Sequence, residues 1–390
     1  MTTSRTRVAI VGAGPAGLLL GWALRAQGID SIIVENRSLD YVLGRIRAGV
    51  LEQGSVETMT RLGLGDRLAA EGMVHGGIYL QFAGQRHHID FAELIGRTVT
   101  VYGQQEVVKD LVAAHQKAGS AIFYEASDVA VGDLLSATPR VSFTHEGIEH
   151  EIEADFVVGA DGFHGVCRAS IPASEISAYE REYPFAWLGI LANVAPSTDE
   201  LIYALHEDGF AMHSMRSPSV SRLYLQVAPN ENIDDWSDER IWENLQKRLG
   251  VDGWTLEQGE ITEKSVLPMR SFVASRMRYG ALFLVGDAGH IVPPTGAKGL
   301  NSAMSDVTLL AAGLVAHYAG DDAVLDGYED AALQRQWRTQ QFSQWMTQLL
   351  HVSGDPFDYR SQLGRLDYVV NSVHAQRGLA EQYTGLPLGV

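Results

Sequence analysis

Six residues, GAGPAG at 12–17, constrain this chain more than any others. RVAIV (7–11) precedes them, a continuous apolar run of the length of a short buried parallel strand. LLLGWALRAQG (18–28) follows, apolar at helical spacing and closed by Gly28. The next apolar run, SIIVE (31–35), ends in Glu35. Strand, Gly-x-Gly-x-x-Gly, helix, strand and terminal acid form a βαβ unit of the dinucleotide-binding kind. Gly12 permits the tight turn, Gly14 lets backbone approach a pyrophosphate, and Gly17 lets the helix lie close to the sheet. The helix N-terminus then faces the phosphates, and Glu35 can accept hydrogen bonds from a ribose. This unit by itself does not separate FAD from NAD.

Two later strand ends make that separation. IEADFVVGADGFHGVCR (152–168) reads as one strand ending in Asp161-Gly162, and LFLVGDAGHIVPPTGAKGLNSAMSD (282–306) opens with another, ending in Gly286-Asp287. A dehydrogenase that binds only NAD has no need of a further Gly-Asp turn so far downstream. FAD has, because its ribityl chain runs past the pyrophosphate and offers hydroxyls to a carboxylate such as Asp287. PPTGAKGL then sets backbone N–H groups, among them those of Gly299 and Leu300, beside an isoalloxazine where side chains would obstruct it.

Composition limits the partners. The net charge of −18 argues against nucleic acid and anionic membranes, which need concentrated Lys and Arg. Positive charge is local instead, with Arg45 and Arg47 in GRIRAGV and Arg216 and Arg222 in SMRSPSVSR, both candidate sites for small anions. Cys167 is the one cysteine, so no intrachain disulfide is possible and a cytoplasmic location is expected. The first residues show no signal-peptide pattern, no apolar run of about 18 or more residues is expected, and no metal site is expected from ligand spacing.

From about 180 to 270 the pattern becomes short strands: WLGILANV, ELIYALH, GFAMHSMR and SRLYLQV, joined by brief polar turns. WSDERIWENLQKRLG (236–250) reads as an amphipathic helix with Ser237 as N-cap. Alternation gives Ser214 and Arg216 one facing, and likewise Arg222 and Tyr224; if the two strands pair, a guanidinium and two hydroxyls converge. The expected fold is α/β: a Rossmann-like FAD-binding domain (1–178), an inserted antiparallel-sheet substrate domain (179–271), and a part (272–390) that returns to the FAD domain and ends in helices suited to a homodimer interface.

The ordered triple of GAGPAG with Glu35, ADG and GDAGHIVPPTGAKGLN resembles the FAD-dependent aromatic hydroxylases. With YVLGRIRAGVLEQGSVE, VTVYGQQEV, DGFHGVCR, YPFAWLGILA, DWSDER and YTGLP, the likeness extends from residue 7 to about residue 388 and is closest to the 4-hydroxybenzoate hydroxylases. That resemblance implies hydroxylation of 4-hydroxybenzoate to 3,4-dihydroxybenzoate with FAD, NAD(P)H and O₂, through a flavin C4a-hydroperoxide. It implies that Ser214, Arg216 and Tyr224 hold the substrate carboxylate. Tyr203 meets the phenol, Tyr383 is second in a proton relay and His75 stands at the solvent end. Pro294 contributes a backbone carbonyl near the phenol. The resemblance further implies that Arg47 is shared between the FAD pyrophosphate and the nicotinamide nucleotide, that Gln104 is a flavin ligand, that Arg222 governs flavin movement, that Asn301 caps the helix beside the ring, and that Arg45, His164 and Arg270 meet the pyridine nucleotide.

There are departures. Met212 stands for a leucine, a swap close in volume; Ala186 and Gly289 stand for a glycine and an alanine. Asn36-Arg37 replaces an Arg-Gln pair after the acid, which moves a positive charge by one position and leans the expectation toward NADH being accepted. The same chemistry on another carboxylated phenol remains the nearest alternative, followed by a flavin-free NAD dehydrogenase and a flavin-bound redox sensor.

Overall fold

The computed structural model describes residues 1–45 and 49–388. Its first half is organised on a sheet in the order Arg278–Tyr279, Leu282–Leu284, Phe156–Gly159, Val8–Val11, Ser31–Val34 and Ala121–Phe123, all parallel except the first. Every residue of Val8–Val11 is buried, as a parallel strand covered on both faces requires. Helix Pro15–Ala26 starts from Gly14 with Pro15 in its first turn, a position where the missing N–H costs nothing. It packs against helices Gln104–Ala118 and Gly299–Tyr318.

The stretch read as one strand over 152–159 is two. Ile148–Glu153 lies in a four-stranded sheet between Thr2–Arg5 and Arg140–His145, whereas Phe156–Gly159 lies in the parallel sheet. The break comes where the Asp155 and Phe156 N–H groups both turn to the Arg7 carbonyl. The pattern explains it: IEHEIE alternates, as a half-exposed strand does, while FVVG is continuously apolar.

The second half is built on an eight-stranded sheet: His290–Ile291, Glu260–Ala274, Ala178–Asn193, Val220–Val227, Ala211–Ser217, Ile202–Ala204, Gly77–Phe82 and Gln85–Asp90. The last two strands come from residues assigned on sequence to the FAD part, and the first from the C-terminal part. One face packs Leu188, Ile190, Leu223 and Leu225 on Ile241, Leu245 and Leu249 of helix Asp238–Leu249. That helix is capped as expected, the Ser237 hydroxyl accepting from the Arg240 N–H at 3.2 Å. The other face meets helices Tyr328–Leu350, Pro356–Asn371 and Val373–Thr384 through Phe342, Met346, Leu366 and Tyr383.

Helix Gly299–Tyr318 corrects one expectation. By length and composition it is apolar enough to cross a membrane, with a mean hydropathy of 1.3 over its most apolar window. That window is 67% buried, against the first helix and helix Tyr328–Leu350, and this is the pattern of a core helix in a globular protein.

Candidate active site

The glycine turn after Val8–Val11 is as tight as its residues allow. Gly12 adopts φ +107°, and a Cβ there would lie 2.3 Å from the Ala160 carbonyl oxygen. A Cβ on Gly17 would lie 1.9 Å from the Gly12 carbonyl oxygen. Gly14 has no neighbour within 4 Å of that position, so the head of helix Pro15–Ala26 opens into free space where its unpaired N–H groups can meet an anion. Glu35 closes the turn: Oε2 accepts from the Ala13 N–H at 2.7 Å and Oε1 from the Arg37 N–H at 2.8 Å. Each oxygen keeps a lone pair for a ribose hydroxyl.

Asp161 accepts from the Cys167 N–H at 2.9 Å through Oδ2, steadying the short helix Val166–Ala169, while its Oδ1 is buried without a partner. Burial pushes this carboxyl above the usual range. Asp287 follows Gly286, at φ +60°, and is exposed at the mouth of Leu282–Leu284. After the Pro294–Gly296 turn and Ala297, at φ +53°, Gly299 opens the twenty-residue helix, again with nothing within 4 Å of a Cβ. Two helix N-termini, an exposed carboxylate and an orphaned carboxylate oxygen suit a long ligand with a pyrophosphate and a polyol; these residues fit FAD.

Asn301 departs from its expected capping role. It lies inside the first turn, Lys298 taking the cap position. Its Oδ1 accepts from the Glu52 N–H at 2.9 Å and the Ser55 hydroxyl at 2.8 Å, and its Nδ2 donates to the Val50 carbonyl at 2.8 Å. It therefore pins the helix to strand Val50–Glu52. Gln104 heads helix Gln104–Ala118, half-buried, and Arg45 is exposed after helix Leu39–Gly44. Arg47 lies outside the described residues.

On the eight-stranded sheet, Ser214 stands opposite Arg222, and Met212 opposite both Tyr224 and Tyr203. Directly opposed residues share a face; the two strands do pair, in regular register through Met215, but the register shifts at Arg216, which has no in-register partner. Ser214 donates its hydroxyl to the Arg222 carbonyl at 2.8 Å. Arg222 is buried across Gly189, where a Cβ would lie 2.8 Å from its Nη2, and it reaches Glu263 at 3.4 Å. Arg216 is different: its Nε is buried without a partner, and among the described residues it has no ion pair. Burial pulls its guanidinium below the ordinary value, with the neighbouring Tyr224 opposing. A half-buried cation with an enclosed, unpartnered Nε and no counter-ion among the described residues suits an anion.

Tyr203 and Tyr383 join hydroxyl to hydroxyl at 2.6 Å, both fully buried, and burial pushes both phenols up. Phe91 and Phe342 wall Tyr383, with ring centroids at 5.2 and 6.2 Å. His75 is buried with Nδ1 unpartnered, and burial holds its imidazole below the ordinary value against the carboxylates of Glu200 and Asp199. Among the described residues no hydrogen bond links it to Tyr383. The Pro294 carbonyl accepts from the Ala297 N–H at 2.9 Å. His164 and Arg270 meet around Phe163, the imidazole at 4.9 Å and the guanidinium 3.8 Å from the ring centroid.

A family profile described as an FAD binding domain matches residues 5–343. The chain is 48% identical to p-hydroxybenzoate hydroxylase from Acinetobacter baylyi over 99% of its own length and 97% of that protein. The chain belongs to the p-hydroxybenzoate hydroxylase family of FAD-dependent aromatic monooxygenases. It is also 26% identical to 3-amino-4-hydroxybenzoate 2-monooxygenase from Streptomyces cremeus, over 90% of this chain and 89% of that one. The fold matches p-nitrophenol 4-monooxygenase from Pseudomonas putida with a TM-score of 0.83 at 18% identity, covering 99% of each chain.

Several charged groups beside these residues were not singled out from sequence. Lys298, fully buried, donates to Glu52 and, at 2.9 Å, to the Tyr383 carbonyl; Glu52 also holds Arg335 at 2.8 Å. Lys298 is the only charge in PPTGAKGL, a signal that could have been read, but Glu52 and Arg335 carry no local mark. Arg168 lies 4.7 Å from the Phe163 centroid and donates to the Ala288 carbonyl at 2.6 Å, beside Asp287.

Proposed function

We propose that this monooxygenase hydroxylates 4-hydroxybenzoate beside its phenol, giving 3,4-dihydroxybenzoate, with NAD(P)H and O₂ as co-substrates. The observation that carries the reading is Arg216, half-buried with its Nε enclosed and unpartnered, on the same sheet as Tyr203, whose hydroxyl bonds Tyr383. One end of the pocket then takes a carboxylate and the other a phenol. The likeness to the Acinetobacter enzyme supports the same substrate.

Arg216 binds the carboxylate through its guanidinium fork, and Tyr224 completes the donor set. Attack by the ring on an electrophilic oxygen requires the phenolate, whose oxygen feeds electron density to the adjacent carbon. Tyr203 receives the substrate hydroxyl, and its own hydroxyl already bonds Tyr383, so a proton can pass between them without water entering. His75, whose buried Nδ1 has no partner, would relay that proton onward to solvent through that nitrogen, while burial disfavours its keeping the charge. FAD, held by the Gly12–Gly17 turn, Glu35, Asp287 and the Gly299 helix start, supplies reduction by NAD(P)H and activation of O₂ when bound.

Trp337, Phe357 and Tyr368 stand 45, 79 and 63% exposed on the C-terminal helices, which supports a homodimer joined there. The single cysteine is buried, in keeping with a cytoplasmic enzyme. The test is aerobic turnover with 4-hydroxybenzoate, counting dihydroxybenzoate formed per NAD(P)H oxidised. A ratio near one is expected. Rapid oxidation that yields hydrogen peroxide and no catechol would mean another phenolic acid is the substrate.

A further inference from the structure

Two buried ionisable groups, which the proton relay does not use, hold the loop that presents Asp287. Asp306 lies on helix Gly299–Tyr318, two turns beyond Gly299 and so on the same face. One of its oxygens takes both the Gly286 N–H, at 2.9 Å, and His290 Nε2, at 2.6 Å. Both side chains are 2% exposed. A single carboxylate therefore clamps the two ends of Gly286–His290, with Asp287 between them.

The same five residues are gripped from outside the helix as well. The Ala274 N–H donates to the Gly289 carbonyl at 2.8 Å, and His290 pairs in register with Val273 of the long substrate-sheet strand. Burial opposes charge on His290, yet the Asp306 carboxylate holds its imidazole above the ordinary value. Burying an ion pair carries a desolvation cost that an apolar pair of similar volume avoids. What the charged pair adds here is directional: one fixed geometry between a loop and a helix N-terminus.

We propose that Asp306 and His290 are positioning residues that fix the Asp287 carboxylate relative to the N-terminus of helix Gly299–Tyr318, and so set how tightly the protein retains FAD. This rests on reading Asp287 as a ligand of the ribityl chain.

The test compares FAD release from the holoenzymes of D306N, H290F, H290Q and D287N, followed by flavin fluorescence on dilution, with thermal unfolding at saturating FAD alongside. D306N and H290F are expected to weaken FAD binding about 10- to 100-fold, comparably to D287N, and D306N combined with D287N to be no weaker than either alone. H290Q, whose amide N–H can still reach Asp306, should recover most of the loss. Lowered unfolding temperatures with unchanged FAD dissociation constants would make the pair merely structural and overturn the proposal. A weakened D287N beside unchanged H290F and D306N overturns the proposal alone, whereas an unchanged D287N removes the ligand reading and the proposal with it. If D306N does not fold, the contrast between H290F and H290Q decides.

Discussion

Arg216 is a half-buried cation with no ion pair among the described residues, in a chain whose net charge is −18, so its lack of a counter-ion there is not for want of acids. Replacing it with methionine removes a desolvated charge and a charged hydrogen-bond donor together. Affinity for 4-hydroxybenzoate should fall about 10- to 150-fold, the equivalent of about 1.5–3 kcal/mol, while the urea midpoint stays level or rises. Titration of the holoenzyme with substrate, beside urea unfolding, checks both halves. Arg216→Lys should recover only part of the affinity, since a point charge cannot reproduce the fork. Tyr203→Phe separates binding from deprotonation. It should bind substrate almost normally, but the bound phenol should ionise at higher pH, and catechol per nucleotide should drop at least about tenfold with hydrogen peroxide in its place. Absorbance of the bound phenol against pH reads the first effect. The facing of Ser214 and Tyr224 on paired strands was legible because alternation along a strand is a local property; the register shift at Arg216 and the hydroxyl of Ser214 turning to the Arg222 carbonyl were not.

Three elements distant in sequence are bound together through Glu52: strand Val50–Glu52, the Lys298 cap of helix Gly299–Tyr318, and Arg335 on helix Tyr328–Leu350. Glu52→Leu leaves two buried cations facing one another. A loss of about 3–5 kcal/mol in urea unfolding is expected, larger than for Lys298→Met combined with the same change. Asn36-Arg37, after Glu35, is where the sequence placed the charge expected to weigh NADH against NADPH. The Arg37 guanidinium rests 5.2 Å from the Tyr41 ring centroid and makes no ion pair among the described residues. NADH should support turnover, and Arg37→Ser should lower kcat/KM with NADPH more than with NADH. Elements with a single strong periodicity, such as helices Pro15–Ala26 and Asp238–Leu249, were visible in sequence. The split of 148–159 between two sheets was missed although the change from alternating to continuous apolarity marks it, because the pattern does not say which strand each half pairs with.

Across the whole molecule, buried histidines set the response to acid. Burial pushes His213 down to about 4 and His351 to about 3, the latter with Nε2 accepting from the Trp187 indole at 2.6 Å. Unfolded, each takes up a proton near its ordinary value of 6.5, which the folded state refuses. Stability is therefore full above that value and falls as pH drops, by about 1.4 kcal/mol per unit for each group. His290 has the opposite sign: its raised value gives stability that is present in acid and lost as pH rises through its folded titration. Urea unfolding should show the holoenzyme less stable at pH 5.5 than at pH 7.5, by about 2–3 kcal/mol from His213 and His351 less what His290 returns. By itself the sequence determined the glycine turn with its acid, the order of the later Gly-Asp strand ends, and with them the cofactor and the family. Those are constraints between consecutive residues, where backbone conformation and close approach leave few alternatives. Only the tertiary structure decided which charges neutralise one another and which do not, since Lys298 meets Glu52 across 246 residues and Asp306 meets His290 across 16. It also decided that Gly77–Phe82 and Gln85–Asp90 complete the substrate sheet. Such pairings depend on how whole faces pack, and the periodicity of one segment says which face is buried but not against what.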